Sequence, residues 1–253
     1  MTTTAHVLVH DSDSELVAER ERRKVALAAT LRLFAKLGYE FGFNGHLTVR
    51  DPASDDLFWA NPWKVPFGRV RVSDLLLVSA SDDPAGRVVQ GAADAAVSGF
   101  AGQHILHSAR EDAVAVVHVH SPAGFTWASQ PQVLDPLTTD SALIHGLQAV
   151  HEDFGLTGEG HRTTADSLGP TAKILVQRGH GFITIGRSLE EAAFYFIAAE
   201  RAAHQQLQLE AAGRGERIDD SLLAKWALTP DLAEQHYFPH LQQVLHDEVD
   251  MLL

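Results

Sequence analysis

The segment Ala113-Val-Ala-Val-Val-His-Val-His120, closed by Ser121-Pro122, does most to limit what this chain can fold into. Its β-branched residues are stiff at the first side-chain torsion and fit a pleated surface, so the run predicts a strand, and a strand requires a sheet around it. Pro122 suits the first turn of a helix, and a helix is expected to open there. Because side chains alternate along a strand, His118 and His120 project from one face. Two imidazoles on one face can chelate one metal ion. An isolated His-x-His is equally well explained by two partly exposed polar positions. Its place at a strand end, where sheet proteins build their sites, favours the ligand reading.

Around that strand the pattern alternates between helical and extended. Apolar positions recur at helical spacing from Ser14 to about Leu37, with acids early and Gly38 as a stop, which predicts an amphipathic helix. Leu47 to Val49, Leu57 to Ala60 and Leu75 to Val78 read as short strands ahead of the turn Asp82-Asp83-Pro84-Ala85-Gly86. Ala95 to Arg110 is long enough for a helix, Ser141 to Val150 is helix-like, and the glycine-rich Gly155 to Gly160 segment reads as a mobile loop. Lys173 to Val176 and Gly181 to Ile185 read as strands flanking Arg178-Gly179-His180-Gly181. Ser188-Leu-Glu-Glu191 is a capping box that opens a long helix to about Ala212, and a last amphipathic helix is expected from Pro230 to Val249. Helices at both ends around a run of strands predict a layered sheet-and-helix domain.

With 253 residues, 45% of them hydrophobic and 21% charged, the chain can bury a large core and is not a disordered one. No linker, charge block or repeat divides it, so residues 1–253 are expected to form a single domain, with 1–13 flexible. The 33 acidic against 20 basic residues give a net charge of -13, which on average repels nucleic acid and anionic membranes. The expected partner is a small molecule or another subunit. The first residues lack a basic start followed by a long apolar run, and no stretch approaches ~18 uninterrupted apolar residues, so a cytoplasmic protein without membrane contact is expected. There is no cysteine, which removes disulfides, thiolate ligands and cysteine nucleophiles, and leaves metal chemistry to the 15 histidines.

His180, set between two glycines, offers a third nitrogen where other groups can approach closely. Three imidazoles plus an open position suit a catalytic metal, whereas a structural zinc takes a fourth protein ligand that this sequence does not single out. Imidazole suits zinc, iron, nickel and copper alike. His104 and His107 lie three apart on the predicted helix and are read as a packed or exposed pair. His204, His236, His240 and His246 are read as surface or subunit-contact residues. Gly-x-Ser-x-Gly, phosphate-cradling and dinucleotide-binding glycine motifs are all missing. The acidic pairs Asp55-Asp56, Asp82-Asp83 and Glu190-Glu191 fit solvated turns and a helix start better than paired acid-base catalysis.

Several motifs then agree in order and spacing. They are Gly45-His-Leu-Thr-Val-Arg-Asp-Pro52, Asn61-Pro-Trp-Lys-Val-Pro-Phe67 with Val72-Ser-Asp-Leu-Leu-Leu-Val78, Ala109-Arg110 leading into Val116-Val-His-Val-His-Ser-Pro122, and Gly179-His-Gly-Phe-Ile-Thr-Ile-Gly186 before Glu190-Glu-Ala-Ala193. On these the chain resembles the class II aldolase/adducin family, in its adducin-like branch, from about Glu19 to the last helix. The resemblance implies a three-layer α/β/α fold with a central, largely antiparallel sheet, and a homotetramer with active sites between neighbouring subunits. It implies His118, His120 and His180 as ligands of a divalent metal ion, zinc in the first place, with iron(II) or manganese as alternatives. In the family's aldolases such a metal polarises substrate oxygens while a carbon–carbon bond breaks.

The departures from the aldolase pattern matter equally. Where those aldolases carry an acid-base glutamate, ungapped counting places Gly99, between Ser98 and Phe100. Their phosphate-binding turns are replaced by Gly45-His46 and Asn61-Pro62-Trp63, which argues against a phosphorylated sugar. Many adducin-like members carry a histidine where Gln103 stands, and a one-residue shift would put His104 there. The leading expectation is a metal-dependent lyase, performing aldol cleavage or decarboxylation on a non-phosphorylated hydroxy- or oxo-acid, with His46, Gln103, His104, His145 or a neighbouring subunit's residue in the catalytic role. One alternative is a non-heme iron oxygenase that oxidatively decarboxylates an aromatic hydroxy-acid, with Trp59, Trp63, Phe67, Phe125 and Trp127 as candidates to line an aromatic pocket; core and interface packing is the preferred reading of those five. Another is a non-catalytic, adducin-like oligomeric scaffold, against which the retained histidines argue.

Overall fold

A computed structural model of the chain describes residues 11–83, 85–92, 95–153 and 158–253. The expected flexibility of 1–13 falls mostly outside the described residues.

The strand predicted from the Ala113–His120 run forms as β5 (Ala115–Val119) and lies near the centre of one eight-stranded sheet. On one side of it stand β1 (Gly45–Arg50), β2 (Leu57–Ala60), β3 (Leu76–Ser79) and β4 (Arg87–Gln90); on the other stand β8 (Gly181–Gly186), β7 (Ile174–Gln177) and β6 (Gln148–His151). All neighbours pair antiparallel except β6 with β7. The expected largely antiparallel sheet is therefore the one observed. Helices cover both faces. They are α1 (Asp11–Lys36), α2 (Phe100–Ala109), α3 (Pro122–Trp127), α4 (Thr139–Leu143), α5 (Gly158–Leu168), α6 (Leu189–Ala211), α7 (Asp220–Leu223) and α8 (Pro230–Asp247).

The period of two along β5 sorts the layers. Ala115, Val117 and Val119 join Leu47, Val49, Phe182 and the inner residues of α1, α6 and α8 in the main core. Val116, on the opposite face, packs with Leu175 and Ile185 against Leu106 of α2 and Leu168 of α5. By the same alternation His118 belongs to the α2/α5 face, and so does His46, its partner across β1 and β5.

Several sequence expectations need correction. The first helix is not amphipathic along its length: residues 26–34 are all buried, because α6, α8 and the single turns Phe67–Arg69 and Val72–Asp74 surround that half. Arg32 is buried there and stays paired, donating to the Val70 carbonyl, Glu248 and Asp250. The second helix starts at Phe100 rather than Ala95, since Gly99 stands in the left-handed region at φ 65°. The Ser141 to Val150 stretch divides into the end of α4 and the strand β6, where pairing with β7 overrides local helical pattern. Of the Gly155 to Gly160 loop, 155–157 lie outside the described residues, while Gly158 to Gly160 open α5. Strand β4 was not anticipated. Ser188 does cap α6, accepting from Glu191 N at 3.1 Å, but the Glu191 carboxylate accepts from Arg187 N rather than closing a reciprocal box. Among the described residues no helix is long and apolar enough to cross a membrane.

Candidate metal centre

Three strand ends place the candidate ligands. His118 is the penultimate residue of β5, His120 directly follows that strand, and His180 sits in the tight connection between β7 and β8. Since β5 and β8 are antiparallel neighbours, the end of one meets the beginning of the other, and chain alternation does the rest. One ligand atom from each of His118, His120 and His180 lies within 4.8 Å of the others. Ring centroids are 4.6 to 5.2 Å apart, with the rings steeply inclined to one another.

The tautomer of His118 follows from its surroundings. Its Nδ1 lies 2.9 Å from the Phe182 carbonyl, which can only accept, so Nδ1 carries the proton. Nε2 is then a bare lone pair, buried and without a hydrogen-bond partner among the described residues. A buried acceptor with no donor is costly, and coordination to a metal ion would satisfy this one. Burial, with His46 and His180 close by, drives the His118 pKa well below its ordinary value; burial also lowers that of His120. Both therefore remain neutral and able to ligate below the usual histidine range. The residues fit a divalent cation.

A cavity of about 310 Å³ opens over the cluster. Asn44, His46, Ser98, Gly99, Gln103, Thr164 and Gln177 surround its polar part, and Leu106 and Ile183 its apolar part. Among the described lining residues there is no Asp, Glu, Lys or Arg. His46 faces His118 at a centroid distance of 5.2 Å. Its ring lies so close to Gly99 that a Cβ there would stand 2.5 Å from Nε2, which accounts for glycine at this position. Gln103 donates from Nε2 to the His46 carbonyl at 2.6 Å, so its amide orientation is set and Oε1 remains buried without a partner among the described residues.

The other candidates fall elsewhere. His104 turns to the outer side of α2, stacked on Phe100 at 10° in a cleft with Asp55, Asp56 and Glu111; between Gln103 and His104, the cavity receives Gln103. His145 precedes β6 where that strand pairs with the start of β7, the sheet end remote from His180, and does not fold over the cavity. His107 is buried between Thr48 and the Ala113 carbonyl, as a packed residue. Of the aromatic candidates, Trp59, Phe67 and Trp127 belong to the main core on the opposite face. Trp63 is partly exposed, and only Phe125 touches the cluster, 4.8 Å from His120. Thr164 and Gln177 were missed. Gln177 shares a face of β7 with Leu175, two residues earlier, and stands three residues before His180, a signal that was available; Thr164 lies on a helix that began inside the segment read as a loop.

Known proteins resemble this chain in sequence and fold. The model of the Class II Aldolase and Adducin N-terminal domain matches residues 25–207. Decarboxylase NovR of Streptomyces niveus is 34% identical over 196 residues, 76% of this chain and 71% of that protein. The 4-hydroxy-3-prenylphenylpyruvate oxygenase/4-hydroxy-3-prenylbenzoate synthase of Streptomyces roseochromogenus subsp. oscitans is 33% identical over 218 residues, 84% of this chain and 76% of that one. The solved structure of an L-fuculose 1-phosphate aldolase from Glaciozyma antarctica PI12 superimposes with a TM-score of 0.85 and 29% identity, covering 99% of this chain and 96% of the other. With fold and sequence in agreement, the chain belongs to the class II aldolase and adducin family.

Proposed function

We propose that this protein is a metal-dependent lyase that breaks a carbon–carbon bond, by aldol cleavage or decarboxylation, in a non-phosphorylated hydroxy- or oxo-acid. One observation carries the reading: three convergent imidazoles open into a cavity whose described walls hold no Asp, Glu, Lys or Arg. A phosphate would find no cationic side chain among them, whereas a small acid can present its oxygens to the ligand cluster itself. A divalent metal held by His118, His120 and His180 supplies Lewis-acid polarisation, worth several kcal/mol of barrier. When the bond breaks, the carbon left with its electron pair must take up a proton, released by the substrate hydroxyl in aldol cleavage or drawn from solvent in decarboxylation. His46, its ring tilted against His118 and packed on Gly99, is the imidazole placed to take up a proton and return it to that carbon. Gln103 fixes the His46 backbone and leaves Oε1 to accept from a substrate hydroxyl. Leu106 and Ile183 exclude water from one side. The same reading includes the homotetramer with sites between subunits, supported by the exposed Phe41 and Phe43 in the segment leading into β1 at the cavity end of the sheet.

An iron(II)-dependent oxygenase acting on an aromatic acid is the second reading. The 33% identical oxygenase supports it, as does the Phe125 ring beside His120. Elemental analysis of anaerobically purified protein, in parallel with His118→Ala, separates the two. Stoichiometric zinc, lost in the variant, supports the lyase and directs assays to bond cleavage and carbon dioxide release. Stoichiometric iron overturns it in favour of oxygen uptake, and no metal in either protein leaves the scaffold reading.

A further inference from the structure

Glu200 lies in the apolar inner face of α6 and is 6% exposed, yet among the described residues it makes no ion pair. Its carboxylate is held by three short hydrogen bonds, all from the turn that follows His120: Ser121 Oγ donates at 2.5 Å, Ala123 N at 2.8 Å and Gly124 N at 2.6 Å. A buried charge satisfied only by donors of one turn fixes that turn firmly, because each donor it loses leaves a desolvated oxygen behind. Gly124 shows how closely the parts fit. A Cβ there would stand 2.7 Å from the Phe182 ring and 2.9 Å from Glu200 Oε2.

What the turn carries is the short helix α3, and α3 meets His120 directly and the neighbours of the other two candidate ligands, Gly179 and Phe182. Its first residue follows His120 by two positions. Its Phe125 ring lies 4.8 Å from the His120 ring. Its C-terminal cap, Ala128, accepts from Gly179 N at 2.7 Å, immediately before His180. The ring its first turn packs against belongs to Phe182, whose carbonyl orients His118. Resting on the metal-centre reading given above, we propose that Glu200 is a positioning residue for the metal site, holding α3 so that His120 and His180 converge on His118. It does not touch metal or substrate.

The test uses the full-length, metal-free protein and zinc alone as probe, with cobalt(II) absorption reporting ligand geometry. Glu200→Gln keeps the side-chain volume but turns one acceptor into a donor facing the Ser121–Gly124 donors. The zinc dissociation constant is expected to rise about ten- to hundredfold, the range of other lost outer supports of a metal site, with a changed cobalt spectrum. Ser121→Ala, which removes one donor, is expected to give a smaller rise in the same direction. A zinc constant within about twofold of wild type and an unchanged cobalt spectrum in Glu200→Gln overturn the proposal, whatever happens to the melting temperature. Should Glu200→Gln fail to fold, the same two measurements on Ser121→Ala decide it. His118→Ala runs alongside. If it loses zinc while Glu200→Gln matches wild type, only the positioning role falls; if it keeps zinc, the metal centre falls and the positioning role with it.

Discussion

His107 should make the protein acid-sensitive, and replacing it should remove that sensitivity without touching the metal site. The ring is 1% exposed, with Nδ1 against the Ala113 carbonyl at 2.5 Å and Nε2 against the Thr48 hydroxyl at 2.8 Å. A carbonyl only accepts, so Nδ1 carries the single proton, and Nε2 takes the hydroxyl's. Burial, only partly offset by the Ala113 bond, depresses the pKa from 6.5 to about 3. Above pH 6.5 folded and unfolded chains are both neutral here and nothing is gained or lost. Below it the unfolded chain binds a proton that the fold refuses, so stability falls with pH until about pH 3, by about 1.4 kcal/mol per unit. At pH 4.5 this amounts to about 2.7 kcal/mol. His107→Asn keeps a donor for Ala113, does not titrate, and loses the Thr48 contact and some volume, at a cost of about 2 kcal/mol near neutrality. In urea denaturation of the metal-free proteins, wild type should therefore lead at pH 7.5 and should be level with or behind the variant at pH 4.5. An equal lead at both values would mean that His107 is protonated inside the fold, and the tautomer argument would be wrong. Zinc stoichiometry should be unchanged, because the ring points at Thr48 and Ala113; a marked loss would mean that α2 presents a different face.

His180→Ala is expected to abolish stoichiometric metal binding while far-UV circular dichroism stays native, since its ring is no part of the main core; full metal content would refute the ligand assignment. Gly99→Ala adds a left-handed penalty of about 1–2 kcal/mol and must displace the His46 ring, so a crystal structure should show that ring moved and turnover should drop; an unmoved ring would contradict the packing described. Lys173→Met removes the nearer cation of the fully buried Glu191, whose carboxylate is 3.1 Å from the amine, leaves it Arg187 at 3.5 Å, and should cost up to about 3 kcal/mol in denaturation with zinc affinity unchanged, because Lys173 lies at the opposite end of the sheet. His104→Ala should leave both metal content and turnover near wild type, and a large loss of turnover would place His104 in the chemistry despite its outward cleft.

The parts of the site legible in the sequence were those governed by local periodicity. His118 and His120 share a face because a strand alternates, and His180 announces itself through its two flanking glycines. Strand β2 runs from Leu57 to Ala60, as read. What escaped depends on distant contacts. Gln103 and His104 could not be separated because the phase of α2 depends on where it starts, and it starts where Gly99 makes room for a ring from β1. Strand β6 is extended because β7 offers it hydrogen bonds, a partner invisible from residues 141–150 alone. Trp59 and Phe67 carry aromatic surface suited to a pocket as much as to a core; only the register of β2 against β1 puts Trp59 opposite Val49, on the face away from the cavity.

Strands β5 and β8 also set an order of events. They are adjacent in the sheet, yet the bond from His118 to Phe182 spans 64 residues of chain, and the one from Glu200 to Ser121 spans 79. Closing a loop of the first size costs about 4 kcal/mol of chain entropy before any contact repays it. An unfolded or half-folded chain has only His118 and His120 near one another, a pair too weak to recruit the third ligand across such a loop. Unlike a zinc finger, whose ligands lie close in sequence and whose metal organises the fold, this sheet must assemble first. On the proposed metal-centre reading, metal uptake would therefore be a late event that consolidates a finished structure, and apo protein should accumulate folded rather than collapse.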